Sequence, residues 1–201
     1  DINDSDLLDK FPLAAKKEPG HKSVVEINDV SFGGTNIPLM CGPNTVESLE
    51  LILSCANHAA GLGCSFLRGG AYKPLTFPYR GEKYFEPRTK GVEWLGIAKE
   101  QSKLKIVTEI VHEKQLDEMK EVVDMLQIGT RNMQNFPLLL ECARSGKPIL
   151  LKRGFGSSIR DLLGAAEHIL LEGNPNVVLC ERGIVAPHTH RASSRFLLDL
   201  Q

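Results

Sequence analysis

The chain has 201 residues, 42% hydrophobic and 24% charged, and its 24 basic and 25 acidic side chains give a formal net charge of −1. That apolar content suffices for a packed core, and no apolar run approaches the ~18 residues of a membrane span. A near-neutral balance with 6% aromatic residues supplies neither the basic field nor the stacking surface of a nucleic-acid binder, so small-molecule partners are expected.

Residues 1–20 are polar, with two prolines and little periodicity, and read as a lead-in that is loose or draped over the surface. The N-terminus has no basic region followed by an apolar core and a small-residue cleavage site, so a cytoplasmic location is expected. Over 23–32 two short apolar runs flank Asn28 and Asp29, which predicts a small hairpin. The domain expectation is therefore a lead-in and hairpin over 1–34 and one larger domain over 35–201. In the latter, strands are predicted at 37–42, 64–69, 105–110, 125–129, 148–153 and 176–182. Helices are predicted between them at 46–61, 91–102, 113–122, 136–145 and 158–172. The five cysteines (Cys41, Cys55, Cys64, Cys142, Cys180) form no redox or zinc motif and are expected to be reduced and mostly buried.

The strands are continuous apolar runs, which suits a parallel α/β sheet covered on both faces. Asn44, Arg68, Glu109, Arg131, Lys152 and Arg182 each fall at or just past the C-terminal end of a different predicted strand. An open doubly wound sheet would spread these residues along a ridge, whereas a (β/α)8 TIM barrel brings them to one mouth. The barrel is the expected fold, here with about six of its eight βα units.

The cations Arg68, Lys73, Arg131, Lys152, Arg153 and Arg182 come from four separate loops. Guanidinium forks and a lysine point charge match the oxygens of a small polyanion such as a phosphorylated carboxylate. Each alone could be a solvated loop cation or an ion-pair partner; recurrence at the same end of successive strands favours a site. Glycines 69, 70, 129, 154 and 183 flank them and allow close approach of backbone to ligand. No nucleotide-binding glycine motif is present. Glu109 and Glu181 are either general bases or partners that orient the neighbouring cations, and the second role is expected. His188 and His190, in APHTH, have no third ligand in register and read as a surface loop.

The strings GPNTVES, LRGGAYKPLT, VTEI, LQIGTRNMQNFPLL, GKPILLKRG and EGNPNVVLCERGI resemble the successive strand-end motifs of type I 3-deoxy-D-arabino-heptulosonate 7-phosphate (DAHP) synthases, in the branch related to 3-deoxy-manno-octulosonate 8-phosphate synthase. The resemblance runs from about residue 23 to 184. It implies a class I aldolase type barrel that condenses phosphoenolpyruvate (PEP) with erythrose 4-phosphate, the entry step of the shikimate pathway to aromatic amino acids. By motif position, Arg68, Lys73, Arg131, Lys152 and Arg182 match the PEP pocket. Lys73 and Lys152 are the implied catalytic residues, and Thr76 falls in the loop that meets the sugar phosphate. A homo-oligomer is expected.

Three departures from the family pattern shape the expectation. Asn44 stands where DAHP synthases carry a cysteine metal ligand, as in metal-independent octulosonate synthases, so no metal ligand is assigned here and the family's divalent cation is not expected with assurance. Leu75 replaces the arginine of a lysine-proline-arginine-threonine motif that would hold the sugar phosphate, which leaves open another aldose acceptor or a non-catalytic PEP-binding relative. The segment RFLLDLQ resembles the run before the family's seventh strand, so six strands are expected, with the first and last as bare apolar edges; a longer protein or another chain would complete the barrel.

Overall fold

Apolar runs bounded by glycine, proline and asparagine become short parallel strands, and the amphipathic runs after them become the helices that cover the sheet. The computed structural model describes residues 4–74, 86–185 and 192–193. These form two compact units, one of residues 26–127 and one of residues 1–25 with 128–201. The division falls at the end of the strand Met125–Ile128.

The unit of residues 26–127 starts with the predicted hairpin, β1 (Val25–Ile27) and β2 (Val30–Phe32). Asn28 takes the left-handed conformation that the tight turn needs (φ 55°). Strands β3 (Met40–Cys41), β4 (Phe66–Arg68), β5 (Lys105–Ile110) and β6 (Met125–Ile128) follow in that order across the sheet. The parallel register sets Met40 beside Phe66 and Arg68 beside Val107. The hairpin is fastened below the strands: Phe32 packs on Phe66, Asn28 bonds Asp124, and Asp29 pairs with Lys105. β5 and β6 are buried almost throughout, as their continuous apolar pattern requires.

Helix α2 (Leu49–Gly61) starts where the Ser48 hydroxyl accepts the Leu51 N–H, and it buries Ile52, Ala56 and Ala59. Helix α3 (Thr89–Ser102) buries Val92, Leu95 and Ala98 and stops at Lys103, which turns left-handed. The helix predicted over 113–122 is much shorter, a 3₁₀ turn at Glu113–Gln115 followed by α4 (Leu116–Met119). The chain leaves the helix early because Asp124 must reach β5: its carboxylate accepts the Ile106 N–H and pairs with Lys99, whose ammonium also holds the Val122 carbonyl. β3 is likewise shorter than the predicted 37–42. Pro38 has no N–H to give a ladder, and pairing begins at Leu39, whose carbonyl accepts from Ser65 and Phe66.

In the other unit, α5 (Phe136–Arg144) is capped by Asn135 and carries Pro137 in its first turn, where a missing N–H costs nothing. β7 (Ile149–Lys152) pairs in parallel with β8 (Val177–Cys180), setting Lys152 beside Cys180. Between them lies α6 (Ile159–Leu171), opened by a reciprocal capping box of Ser158 and Asp161. The glycine-asparagine-proline-asparagine turn before β8 is held by buried Asn174, whose amide donates to the carbonyls of Ala143 and Lys147 and accepts the Asn176 N–H. Two short strands that the sequence pattern does not announce, β9 (Ile184–Val185) and β10 (Ala192–Ser193), pair antiparallel.

The lead-in is draped over α6, and it contains a helix that its weak periodicity did not suggest. In α1 (Asp4–Lys10), the Asp6 carboxylate pairs with Arg160 and Lys10. Past α1, Phe11 lies against Gly164, and the Leu13 and Ala14 N–H groups donate to Glu167. The partners are more than 150 residues away in sequence, so nothing local to 1–20 could reveal them. The cysteines are free; Cys64 and Cys142 are buried, Cys55 and Cys180 partly so, and Cys41 is exposed.

Candidate functional site

At the C-terminal ends of β3 and β4, Gly42 lets two backbones meet. Its φ is +146°, and a Cβ there would fall 1.9 Å from the Arg68 carbonyl oxygen. This close approach brings the 42–44 turn under the Arg68 side chain. Arg68 Nη1 donates to the Pro43 carbonyl (3.1 Å) and to Asn44 Oδ1 (3.2 Å), and its Nε donates to Gln127 Oε1 (3.2 Å). The Gln127 amide passes the contact on, donating through Nε2 to Glu109 Oε2 at 3.2 Å. Burial pushes the Arg68 pKa down and the nearby Glu109 carboxylate counters it; a guanidinium remains charged under such a shift.

Lys73 comes to the same place from the loop after β4. Its Nζ donates to Asn44 Oδ1 at 2.8 Å, and its backbone N–H donates to Glu86. The loop is fixed from beneath, because the Val46 N–H donates to the Gly70 carbonyl and the Gly69 N–H to the Val107 carbonyl. Arg68 and Lys73 thus converge on one neutral amide oxygen, with Glu109 set behind them through Gln127. Such an arrangement holds two cations side by side on one acceptor.

The second cluster lies at the ends of β7 and β8. Arg153 is spent on structure: buried, it donates to the Ser157 carbonyl (2.9 Å) and pairs with Glu181 (2.6 Å), both side chains being 4% exposed. The other Glu181 oxygen accepts the Gly183 N–H at 2.6 Å. Burial alone would raise the Glu181 carboxyl, but Arg153 and the backbone N–H groups of Gly183 and Arg182 hold it below its usual range. For Arg153 the ion-pair reading therefore replaces the anion-binding one, and both Glu109 and Glu181 orient neighbouring groups. Lys152 ends β7, half-buried, and its charge opposes the upward shift that burial imposes on the Cys180 thiol. Arg131, in the turn after β6, lies 5.6 Å from the Phe155 ring centroid, and Arg182 lies 4.4 Å from it.

Of the expected site residues, Arg68, Lys73 and Asn44 are brought together in one unit, and Arg131 and Arg182 meet at one ring in the other. Thr76, Leu75, His188, His190 and the RFLLDLQ segment lie outside the described residues. Gln127 and Phe155 were not expected. A glutamine inside the apolar run MLQIG was the available signal for the first, since a buried amide needs partners on both ends. For Phe155 the sequence offered no signal beyond its place next to a glycine.

The Asn44 position does not fit a divalent metal. Its carbonyl oxygen already accepts from Arg68 and Lys73, and a third positive charge beside these two would be repelled. Among the described residues no group of three histidine, cysteine, aspartate or glutamate side chains is placed to hold an ion.

Six parallel strands, the first five each followed by a helix among the described residues, with glycines and cations at the strand C-terminal ends, define a partial (β/α)8-type barrel fold. The model of the DAHP synthetase I family matches residues 13–199, and the chain belongs to that family. Among curated proteins it is similar to phospho-2-dehydro-3-deoxyheptonate aldolase of Thermotoga maritima, with 38% identity over 96% of this chain and 56% of the relative. It is also similar to 2-dehydro-3-deoxyphosphooctonate aldolase 1 of Arabidopsis thaliana, with 32% identity over 72% of this chain and 51% of the relative. Two solved structures of Thermotoga maritima match with a TM-score of 0.77. The phospho-2-dehydro-3-deoxyheptonate aldolase is 37% identical, covering 85% of this chain and 48% of that one. A truncated form of 3-deoxy-D-arabino-heptulosonate 7-phosphate synthase is 36% identical, covering 89% and 63%. The chain thus spans about half the length of the curated relatives it matches.

Proposed function

We propose that this chain carries the PEP-binding part of a 3-deoxy-7-phosphoheptulonate synthase, a transferase that condenses PEP with erythrose 4-phosphate. In the reaction the enol carbon of PEP attacks the aldehyde carbon, water adds at the phosphate-bearing carbon, and inorganic phosphate leaves. Arg68, Arg131 and Arg182 bind the PEP anion, and Lys73 and Lys152 stabilise charge as it develops. Thr76 contacts the sugar phosphate. Asn44, standing where the family carries a metal ligand, instead holds Lys73 and Arg68 with its side-chain carbonyl oxygen.

The observation that carries this reading is the convergence of Arg68 and Lys73 on the single Asn44 oxygen. The test is release of inorganic phosphate from PEP with erythrose 4-phosphate, together with calorimetric titration of PEP. Lys152→Ala and Arg131→Ala are expected to weaken PEP binding by roughly 2 kcal/mol, the worth of a hydrogen bond to a charged group. Unchanged affinity in both variants overturns the assignment of the pocket.

A second reading is favoured by Asn44 and Leu75 together, which remove two features of DAHP synthases. In it the acceptor is another aldose phosphate, or PEP is bound without turnover. Turnover with arabinose 5-phosphate in place of erythrose 4-phosphate marks the first, and binding of PEP with no phosphate release marks the second. Among the described residues no helix is long and apolar enough to cross a membrane. Self-association fits the exposed apolar side chains of Ile37 and Leu39, just before β3.

A further inference from the structure

We propose that Phe155 is a positioning residue that sets the two anion-binding arginines, Arg131 and Arg182, by offering both of them its ring. The inference rests on the PEP-binding reading and names a residue outside the motifs that suggested it. Arg131 comes from the turn after β6 and Arg182 from the end of β8, yet both guanidinium carbons lie within 6 Å of the one ring centroid. The Arg182 backbone N–H is turned to Glu181, while the two guanidinium groups share the ring.

Two like charges brought to one spot repel, and in this unit their available counter-charge, Glu181, is occupied by Arg153 and the Gly183 N–H. The negative face of an aromatic ring attracts each guanidinium without neutralising it. Stacking also uses the flat side of the guanidinium and leaves its N–H fork free for carboxylate or phosphate oxygens. A carboxylate in the same place would cancel the charge that the ligand needs.

The loop that carries Phe155 is held at several points. The Gly154 N–H contacts Met133 Sδ at 3.1 Å, Arg153 Nε binds the Ser157 carbonyl, and the Ser157 N–H donates to the Gly154 carbonyl. A Cβ at Gly154 would lie 2.1 Å from Ser157 Oγ and 3.1 Å from Ser157 Cβ, so a side chain there would force Ser157 to turn away. The ring thereby sits on a held loop, and Phe155 is half-buried.

The experiment is PEP titration by calorimetry on the purified chain with Phe155 replaced by phenylalanines of increasing ring fluorination, which drain the quadrupole while keeping the shape. Affinity is expected to fall in steps, by about tenfold in total for two cation–π contacts. Phe155→Leu should fall as far, and Phe155→Trp should stay within about twofold of the parent. A flat response across the fluorinated series, with Arg131→Ala still impaired, overturns the role of Phe155 and leaves the pocket standing. Absence of PEP binding in the parent overturns the pocket and the proposal together. Unfolding of the leucine variant would not decide the matter, because the fluorinated series retains the packing.

Discussion

Gly70 carries no side chain in the space that Lys73 occupies: a Cβ there would lie 2.4 Å from Lys73 Cε and 2.5 Å from the Asn44 backbone carbonyl oxygen. Gly70→Ala should therefore push Lys73 off Asn44 and weaken PEP binding by about tenfold or more, the worth of one charge-assisted hydrogen bond. Calorimetry below the unfolding temperature reads this, and an affinity equal to the parent's would show that Lys73 does not need its place over Gly70. At Glu181 the consequence is one of pH. Its folded pKa lies below the usual 4.5, so its contribution to stability is present above the unfolded value and is lost as pH falls through the folded one. Denaturant midpoints of the parent should fall with acid in that window, and Glu181→Gln should flatten this dependence. Glu181→Ala, by stranding buried Arg153, should cost about 3–5 kcal/mol at neutral pH.

Elements differ in how much of their making is local. β5 forms over the 105–110 that its apolar run marks out, because burial on both faces leaves a pattern that needs no knowledge of neighbours. The helix of 113–122 breaks up because Asp124 is drawn to Ile106 and Lys99, a tertiary demand that propensity does not contain. The same distinction divides the site. The strand-end cations Arg68, Arg131, Lys152 and Arg182 were legible as residue types at recurring positions. That Arg153 is consumed by Glu181, or that Gln127 relays Glu109 to Arg68, depends on side-chain geometry between strands and left no trace in spacing. α1 and the turns after it are held by contacts with α6 instead of by their own sequence. Glu167→Ala should free the Leu13 and Ala14 N–H groups, costing about 1–3 kcal/mol. Their amide exchange should quicken at least tenfold while that of α6 stays slow; unchanged exchange would mean that another contact holds the lead-in.

For the molecule as a whole, one edge of the sheet is open among the described residues. β3 pairs with β4 and, among the described residues, with nothing on its other side. Next to it Ile37 and Leu39 are 88% and 51% exposed. An apolar edge with free backbone groups is a template for another strand. Sedimentation of the 201-residue chain is expected to show concentration-dependent association, and Ile37→Lys should shift it toward the monomer without changing the unfolding midpoint. A parent that stays monomeric at high concentration would show that this edge is inert.

The close contact at Gly42 has a bearing on inheritance. Every single-nucleotide missense change of a glycine codon supplies a Cβ, and at position 42 that atom would collide with the Arg68 carbonyl at 1.9 Å. Gly61 and Gly156 lie at the other extreme, with no atom within 4 Å of the added carbon and no left-handed backbone. Under selection for a working gene, codon 42 should stay closed to variation while codons 61 and 156 drift. The boundary between them would be set by a backbone approach rather than by any reacting side chain.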